Sequence, residues 1–199
     1  MTRTEDIQAA AHLGVDAVGL VFYAESARYI SVEQARTLAD AAPAFVTVTG
    51  LFLNPARADV QRVLDSVRMD LLQFHGEEAP VFCRAFGRPY LKAVPMSGQA
   101  DINEYARKYA DAAALLLDSH AAGQKGGTGM SFDWSGVPQS TRPPVILAGG
   151  LRADNVAAAI RMVRPYGVDV SSGVERAPGI KDAAKMAEFV REVNRVTAA

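Results

Sequence analysis

Asp16-Ala-Val-Gly-Leu-Val-Phe-Tyr23 is apolar at successive rather than alternate positions. A strand needs apolar residues on both faces only when both faces are covered, which is the condition of a parallel sheet wrapped by helices. The same kind of run recurs at Phe45 to Leu53, Leu71 to Phe74, Tyr90 to Val94, Ala112 to Asp118, Pro143 to Ala148 and Gly167 to Val170. Between these runs lie longer segments with helical spacing, so the chain reads as repeated βα units.

The helical segments carry their own start signals. Thr2-Arg3-Thr4-Glu5 has capping-box spacing, and Ile7, Ala10, Ala11 and Leu13 then form an apolar face that stops at Gly14. Ser31 is expected to cap a helix through Ala41, and Pro55 to open the next at a position where its missing N–H is harmless. Further helices are expected over Glu77–Phe86, Asp101–Tyr109, Asp154–Val163 and Asp182–Val196, with a short one over Phe132–Val137. Ser119 to Ser131 contains four glycines and no apolar period, so it reads as a long mobile loop suited to a lid.

Seven strands and eight helices, with a helix first, make a single-domain (β/α)8 TIM barrel over residues 1–199 that lacks its first strand. An open flavodoxin-like sheet is the alternative architecture. The 199 residues are enough for one core, and a net charge of −1 with a pI near 6.3 gives no basic field for nucleic acid or an anionic membrane. Cys83 is the single cysteine, which excludes an internal disulfide. The opening residues have acids where a signal peptide needs an apolar run, and no segment is apolar enough to span a bilayer, so a cytoplasmic protein is expected. The scattered histidines and lone cysteine predict no metal site, and Gly126-Gly127-Thr128-Gly129 lacks the ending of a nucleotide loop.

In such a barrel the chemistry belongs at the C-terminal ends of the strands. Four features stand there. Arg28, in the loop after the first strand, can grip a carboxylate through two parallel hydrogen bonds, or be a surface residue paired with Glu25. His75 directly follows Phe74 and can face the mouth or serve structure, while Glu77 and Glu78 are read as the negative start of the next helix. His12, inside the first helix, and His120, in the long loop, are weaker candidates. Asp118 ends an apolar strand at the mouth, where a proton is easier to keep than in water, so it can act as a general acid; a cap or a loop salt bridge is the plainer role. The glycine turns Ala148-Gly149-Gly150-Leu151 and Val170-Ser171-Ser172-Gly173-Val174-Glu175, with short helices starting there, offer backbone N–H groups to one spot, a phosphate cup without a lysine; simple tight turns are the plainer role.

Taken in order, Asp16 to Phe22, Ser26-Ala-Arg-Tyr-Ile-Ser31, Gln73-Phe-His-Gly-Glu77, Leu117-Asp118, Gly126 to Gly129 with Phe132-Asp-Trp134, Ala148 to Leu151 and Asp169 to Glu175 resemble the phosphoribosylanthranilate isomerases of tryptophan biosynthesis. The resemblance runs over nearly the whole chain. It implies an Amadori rearrangement of N-(5-phosphoribosyl)anthranilate without a cofactor, on a small phosphosugar substrate, by a monomer or homodimer. It further implies Asp118 as the general acid, Arg28 as the contact to the anthranilate carboxylate, and His75 and Asp169 in the substrate pocket. Gly149, Gly150, Ser172 and Gly173 then form the phosphate cup.

The family's base is a cysteine at the end of the first strand, in a Lys-Ile-Cys-Gly pattern, and Met1-Thr2-Arg3-Thr4 resembles the residues just after it. Cys83 lies in the helical segment Glu77–Phe86 and is read as a small buried hydrophobe. The expectation is therefore that Met1 is an internal methionine, that about seven to twelve residues precede it, and that the 199-residue chain is nearly inactive. Two rivals stand beside this reading: a non-catalytic remnant of the same barrel that still binds a phosphate ligand, and another phosphosugar barrel enzyme such as a pentulose-phosphate epimerase, for which the metal-binding histidines are too few.

Overall fold

The computed structural model describes residues 1–98, 100–119 and 132–197. Seven strands make one parallel sheet in strict chain order: β1 (Ala17–Val21), β2 (Thr47–Phe52), β3 (Leu71–Phe74), β4 (Tyr90–Pro95), β5 (Ala114–Asp118), β6 (Val145–Leu147) and β7 (Gly167–Val168). A flavodoxin-like sheet places its first strand between later ones, so the sequential order excludes that alternative. The strands belong to a TIM-barrel-like α/β fold whose sheet has two edges, β1 and β7, among the described residues.

The helices are α1 (Thr4–His12), α2 (Val32–Asp40), α3 (Arg57–Ser66), α4 (Pro80–Cys83), α5 (Ile102–Lys108), α6 (Val156–Val163) and α7 (Ala183–Thr197). The expected eighth helix, over Phe132–Val137, is a single 3-10 turn at Trp134–Gly136. Ser31 makes a full capping box with Gln34. The box expected at Thr2 does not form: Arg3 is the N-cap and makes no side-chain cap bond, because the Thr2 hydroxyl donates instead to the Gly179 carbonyl. A tertiary acceptor outcompetes the local one. The helix expected from Glu77 starts three residues later, at Pro80, and gives way to a 3-10 turn at Arg84–Phe86. The long loop, His120 and the Gly126–Gly129 motif lie outside the described residues, apart from Ser119.

Pleating divides each strand between two environments. Leu72, Phe74, Val94, Leu115, Leu117 and Leu147 join the large core under the helices, while Ala93, Leu116 and Ala148 form a second, smaller cluster with Ile146. Gln73 lies on the face opposite Phe74, and Asp118 continues the face of Leu116, so the polar ends of β3 and β5 open on the concave side with that smaller cluster.

Beyond β7 the sequence predicts a glycine turn over Val170–Glu175 with a short helix starting there, and nothing further before Asp182. The structure has a 3-10 turn at Ser172–Val174 and then an antiparallel hairpin of β8 (Glu175–Ala177) and β9 (Ile180–Lys181). This hairpin is tied to the start of the chain. Lys181 N–H donates to Asp6 Oδ2 at 3.1 Å, and the Lys181 ammonium reaches Glu175 Oε1 at 3.1 Å and the Ser171 carbonyl at 2.9 Å. Arg28 closes the network by donating from Nε and Nη2 to the two oxygens of Glu175, both at 2.8 Å.

Glu175 is buried, which works against its ionisation, but the Arg28 hydrogen bonds and the Lys181 charge outweigh burial and hold its pKa below the usual carboxylate value. A carboxyl with a lowered folded pKa contributes stability that is complete above its unfolded value, near 4.5, and is lost as pH falls through the folded value. Glu175→Gln is therefore expected to cost about 3 kcal/mol at neutral pH and to flatten the acid side of the stability profile. Urea midpoints measured from about pH 6 down to about pH 3 check this; parallel profiles for the two proteins would show that the pair contributes nothing.

Candidate active site

Because all seven strands run the same way, the residues after β1, β3, β5, β6 and β7 meet on one rim. His75 follows β3 and Asp118 closes β5, and the two touch: His75 Nε2 lies 3.0 Å from Asp118 Oδ2. Gln73 Nε2 lies 2.9 Å from His75 Nδ1. An amide nitrogen can only donate, so that contact makes Nδ1 the acceptor and leaves Nε2 as the protonated nitrogen facing Asp118. Both side chains are nearly enclosed, with 13% and 7% of their surface exposed. Such a geometry holds a carboxyl group at a fixed orientation over the mouth.

The glycine turn after β6 comes directly against this carboxylate. Gly149 has a φ of +78°, and a Cβ there would strike the Ser119 N–H and lie 2.7 Å from Asp118 Oδ1. Only glycine fits both the backbone angle and the gap. Among the described residues the N–H groups of Gly149 and Gly150 donate to no backbone carbonyl, while Asn155 Nδ2 holds the Gly150 carbonyl at 2.9 Å. The second turn abuts the first, since a Cβ on Gly173 would collide with the Leu151 carbonyl. Asp118, the Gly149–Leu151 turn and the Ser172–Gly173 turn thus form one continuous surface, with donors suited to an anion beside a carboxyl group.

Asp169 follows β7. Its side chain is open to solvent, yet protein atoms crowd around it, and this crowding together with the Asp118 charge raises its pKa. Its open side lets water moderate the rise. Arg28 is placed differently from the surface pairing with Glu25. It grips Glu175, 147 positions away, while Glu25 accepts from the Tyr23 hydroxyl at 2.8 Å. Its Nε/Nη2 edge is therefore occupied, and the guanidinium is held beside the turn that bears Ser172 and Gly173.

Glu78 also departs from expectation. Instead of standing exposed at a helix start it is buried, paired with Lys92 at 3.1 Å. The sequence carried one signal for this, a lysine within the otherwise apolar Tyr90-Leu-Lys-Ala-Val94. Gln73, whose role depends on its facing the same way as His75, and Lys181 were missed altogether. Cys83 is fully buried, and burial pushes its thiol up to about 12, so it is inert as a base. The depression at the opposite end of the strands, lined by Leu64 to Asp70 and Arg88, takes no part in this surface.

A sequence model of the N-(5'-phosphoribosyl)anthranilate (PRA) isomerase family matches residues 1–192. The chain belongs to that family. The N-(5'-phosphoribosyl)anthranilate isomerase of Nitrosococcus oceani is 54% identical over 196 residues, which are 98% of this chain and 95% of the relative. The phosphoribosyl anthranilate isomerase of Thermotoga maritima superposes with a TM-score of 0.88 at 37% identity, over 100% of this chain and 96% of that one. A solved isomerase in complex with reduced 1-(o-carboxyphenylamino)-1-deoxyribulose 5-phosphate superposes with a TM-score of 0.83 at 36% identity, over 100% and 96% of the two chains. Membership of the isomerase family disposes of the epimerase alternative. Among the described residues no helix is long and apolar enough to cross a membrane.

The contact at Gly149 gives a direct test of the site's construction. Gly149→Ala is expected to destabilise the protein by about 1–3 kcal/mol through the left-handed backbone angle. It is also expected to shift the Asp118 carboxyl and to weaken phosphate binding. Thermal denaturation with and without inorganic phosphate reads both effects; an unchanged midpoint and unchanged phosphate stabilisation would mean the turn relaxes freely.

Proposed function

We propose that this chain is a phosphoribosylanthranilate isomerase, carrying N-(5'-phosphoribosyl)anthranilate to 1-(2-carboxyphenylamino)-1-deoxyribulose 5-phosphate. The observation that carries the reading is the contact between Asp118, His75 and the Gly149 turn: a carboxyl held 3.0 Å from an imidazole and directly against a left-handed glycine turn. Asp118 is the general acid. It protonates the ribose ring oxygen while the anilino nitrogen lone pair forms a C=N bond and the ring C–O bond breaks. A base then takes the proton from the sugar's second carbon, its electrons forming the enol-amine, which tautomerises to the ketone. The step is a redistribution of protons within one molecule, so no redox partner is required.

The substrate phosphate is assigned to Gly149, Gly150, Ser172 and Gly173, with Asp169 and His75 lining the sugar. Arg28 is assigned to the anthranilate carboxylate. Because Glu175 takes its Nε/Nη2 edge, the substrate would use the remaining Nη1/Nη2 edge, a second fork of the same guanidinium. Every residue named comes from one chain, so the reading holds for a monomer and for a homodimer. A non-catalytic phosphate-binding remnant would keep the cup but have no use for the Asp118–His75 contact.

Asp118→Asn keeps the shape and removes the acid. It is expected to lower kcat by roughly 10²- to 10⁴-fold with phosphate binding retained. Full turnover in this variant would overturn the assignment.

A further inference from the structure

Lys92 lies in β4 with none of its surface exposed, on the helix-facing side of the sheet. Its ammonium has three N–H bonds and three acceptors: the Phe74 carbonyl at 3.2 Å, the Gly76 carbonyl at 2.5 Å and Glu78 Oε2 at 3.1 Å. The two carbonyls are those on either side of His75. Glu78 in turn accepts the Gly76 N–H at 3.0 Å and the Asn54 N–H at 2.7 Å, while the Tyr109 hydroxyl donates to the Glu78 carbonyl at 2.9 Å. Gly76 has no room for a side chain, since a Cβ would strike Asn54. The turn that presents His75 is thus clamped from the loop after β2, from β4 and from the C-cap of α5 at once.

Stability alone does not account for this arrangement. A buried ion pair loses about as much in desolvation as it gains by attraction, and an apolar pair of the same volume is often as stable. Burial lowers the Lys92 pKa against the opposing pull of Glu78, the mark of a charge kept in an unfavourable place. What an apolar pair cannot do is hold two carbonyls and an amide of one turn in fixed directions and tie that turn to the amide of Asn54.

We propose that Lys92 and Glu78 are positioning residues of the isomerase reaction, fixing the backbone on both sides of His75 so that its imidazole stays at hydrogen-bond distance from Asp118. The inference rests on the isomerase reading above. It predicts that their contribution to turnover passes through His75.

The test is a mutant cycle. Lys92→Met/Glu78→Gln removes both charges together and avoids stranding either in the core. It is assayed alone and combined with His75→Ala. The paired variant is expected to unfold at a midpoint near that of the wild type. Its kcat should fall roughly tenfold to hundredfold, the loss that follows a displacement of about 1 Å in a catalytic constellation, with KM within about twofold. In the His75→Ala background the same pair of substitutions should cost nothing more.

The His75 ring nitrogens should also change their 15N chemical shifts in the paired variant, a measurement that needs no turnover. An equal loss of kcat in both backgrounds, or an unmoved His75 resonance, would overturn the proposal. If the paired variant does not fold, Glu78→Gln alone, which keeps a carbonyl oxygen for the Asn54 and Gly76 amides, is read by the same two measurements. Failure of the isomerase reading is recognised separately, by full turnover of Asp118→Asn whatever the cycle returns.

Discussion

In a parallel sheet every strand ends at the same rim, and the loops that follow have no choice but to meet there. The site of this protein is a consequence of that constraint. β3 and β5 are separated only by β4, and the register places Phe74 beside Lys92 and Pro95 beside Asp118. His75 and Asp118, 43 positions apart in the chain, therefore arrive at 3.0 Å without any loop having to reach. The glycine turns after β6 and β7 come next around the same rim, and Gly149 can meet Asp118 because β6 is the direct neighbour of β5.

The parts that were legible in the sequence are those governed by local rules. Leu71 to Phe74 is apolar because both faces of its strand are covered, and its bounds are the observed ones. Ser31 and Gln34 are three positions apart and form their box with no help from elsewhere. Asp118 was legible because a carboxylate ending a leucine run has few reasons to be there, and the paired glycine turns because backbone freedom is written directly as glycine. What was not legible depends on partners far away in the chain. Thr2 has a perfect local partner in Glu5 and abandons it for Gly179, 177 positions on. Arg28 has Glu25 nearby and takes Glu175 instead. The hairpin of β8 and β9 is too short to show a period of its own, and its strands are fixed by Lys181 binding Asp6 and Glu175 rather than by their composition.

These long-range choices share a cause. A surface pair such as Arg28 with Glu25 keeps both ends solvated and gains little. At Glu175 a carboxylate is already buried and receives Lys181, so a guanidinium that can supply two aligned N–H bonds satisfies both oxygens at once. The better-desolvated site wins, and sequence proximity does not enter. The same competition explains Glu78, which leaves the exposed helix start expected of it because Lys92 offers a buried ammonium with two carbonyls already attached.

Two buried ion pairs thus sit at two places on one rim, Lys92 with Glu78 behind the β3 loop and Lys181 with Glu175 behind the β7 loop. Each holds backbone as well as its partner: Phe74 and Gly76 carbonyls in the first, the Ser171 carbonyl in the second. If burial energy were their purpose, apolar side chains would serve as well. Their ammonium groups instead reach the backbone of the two loops that carry His75 and the Ser172–Gly173 turn. A reaction that moves protons between fixed points needs those points held to within a fraction of an ångström, and at the end of a strand, where the ladder of backbone hydrogen bonds stops, a fully satisfied buried charge is a means of extending that rigidity into the loop.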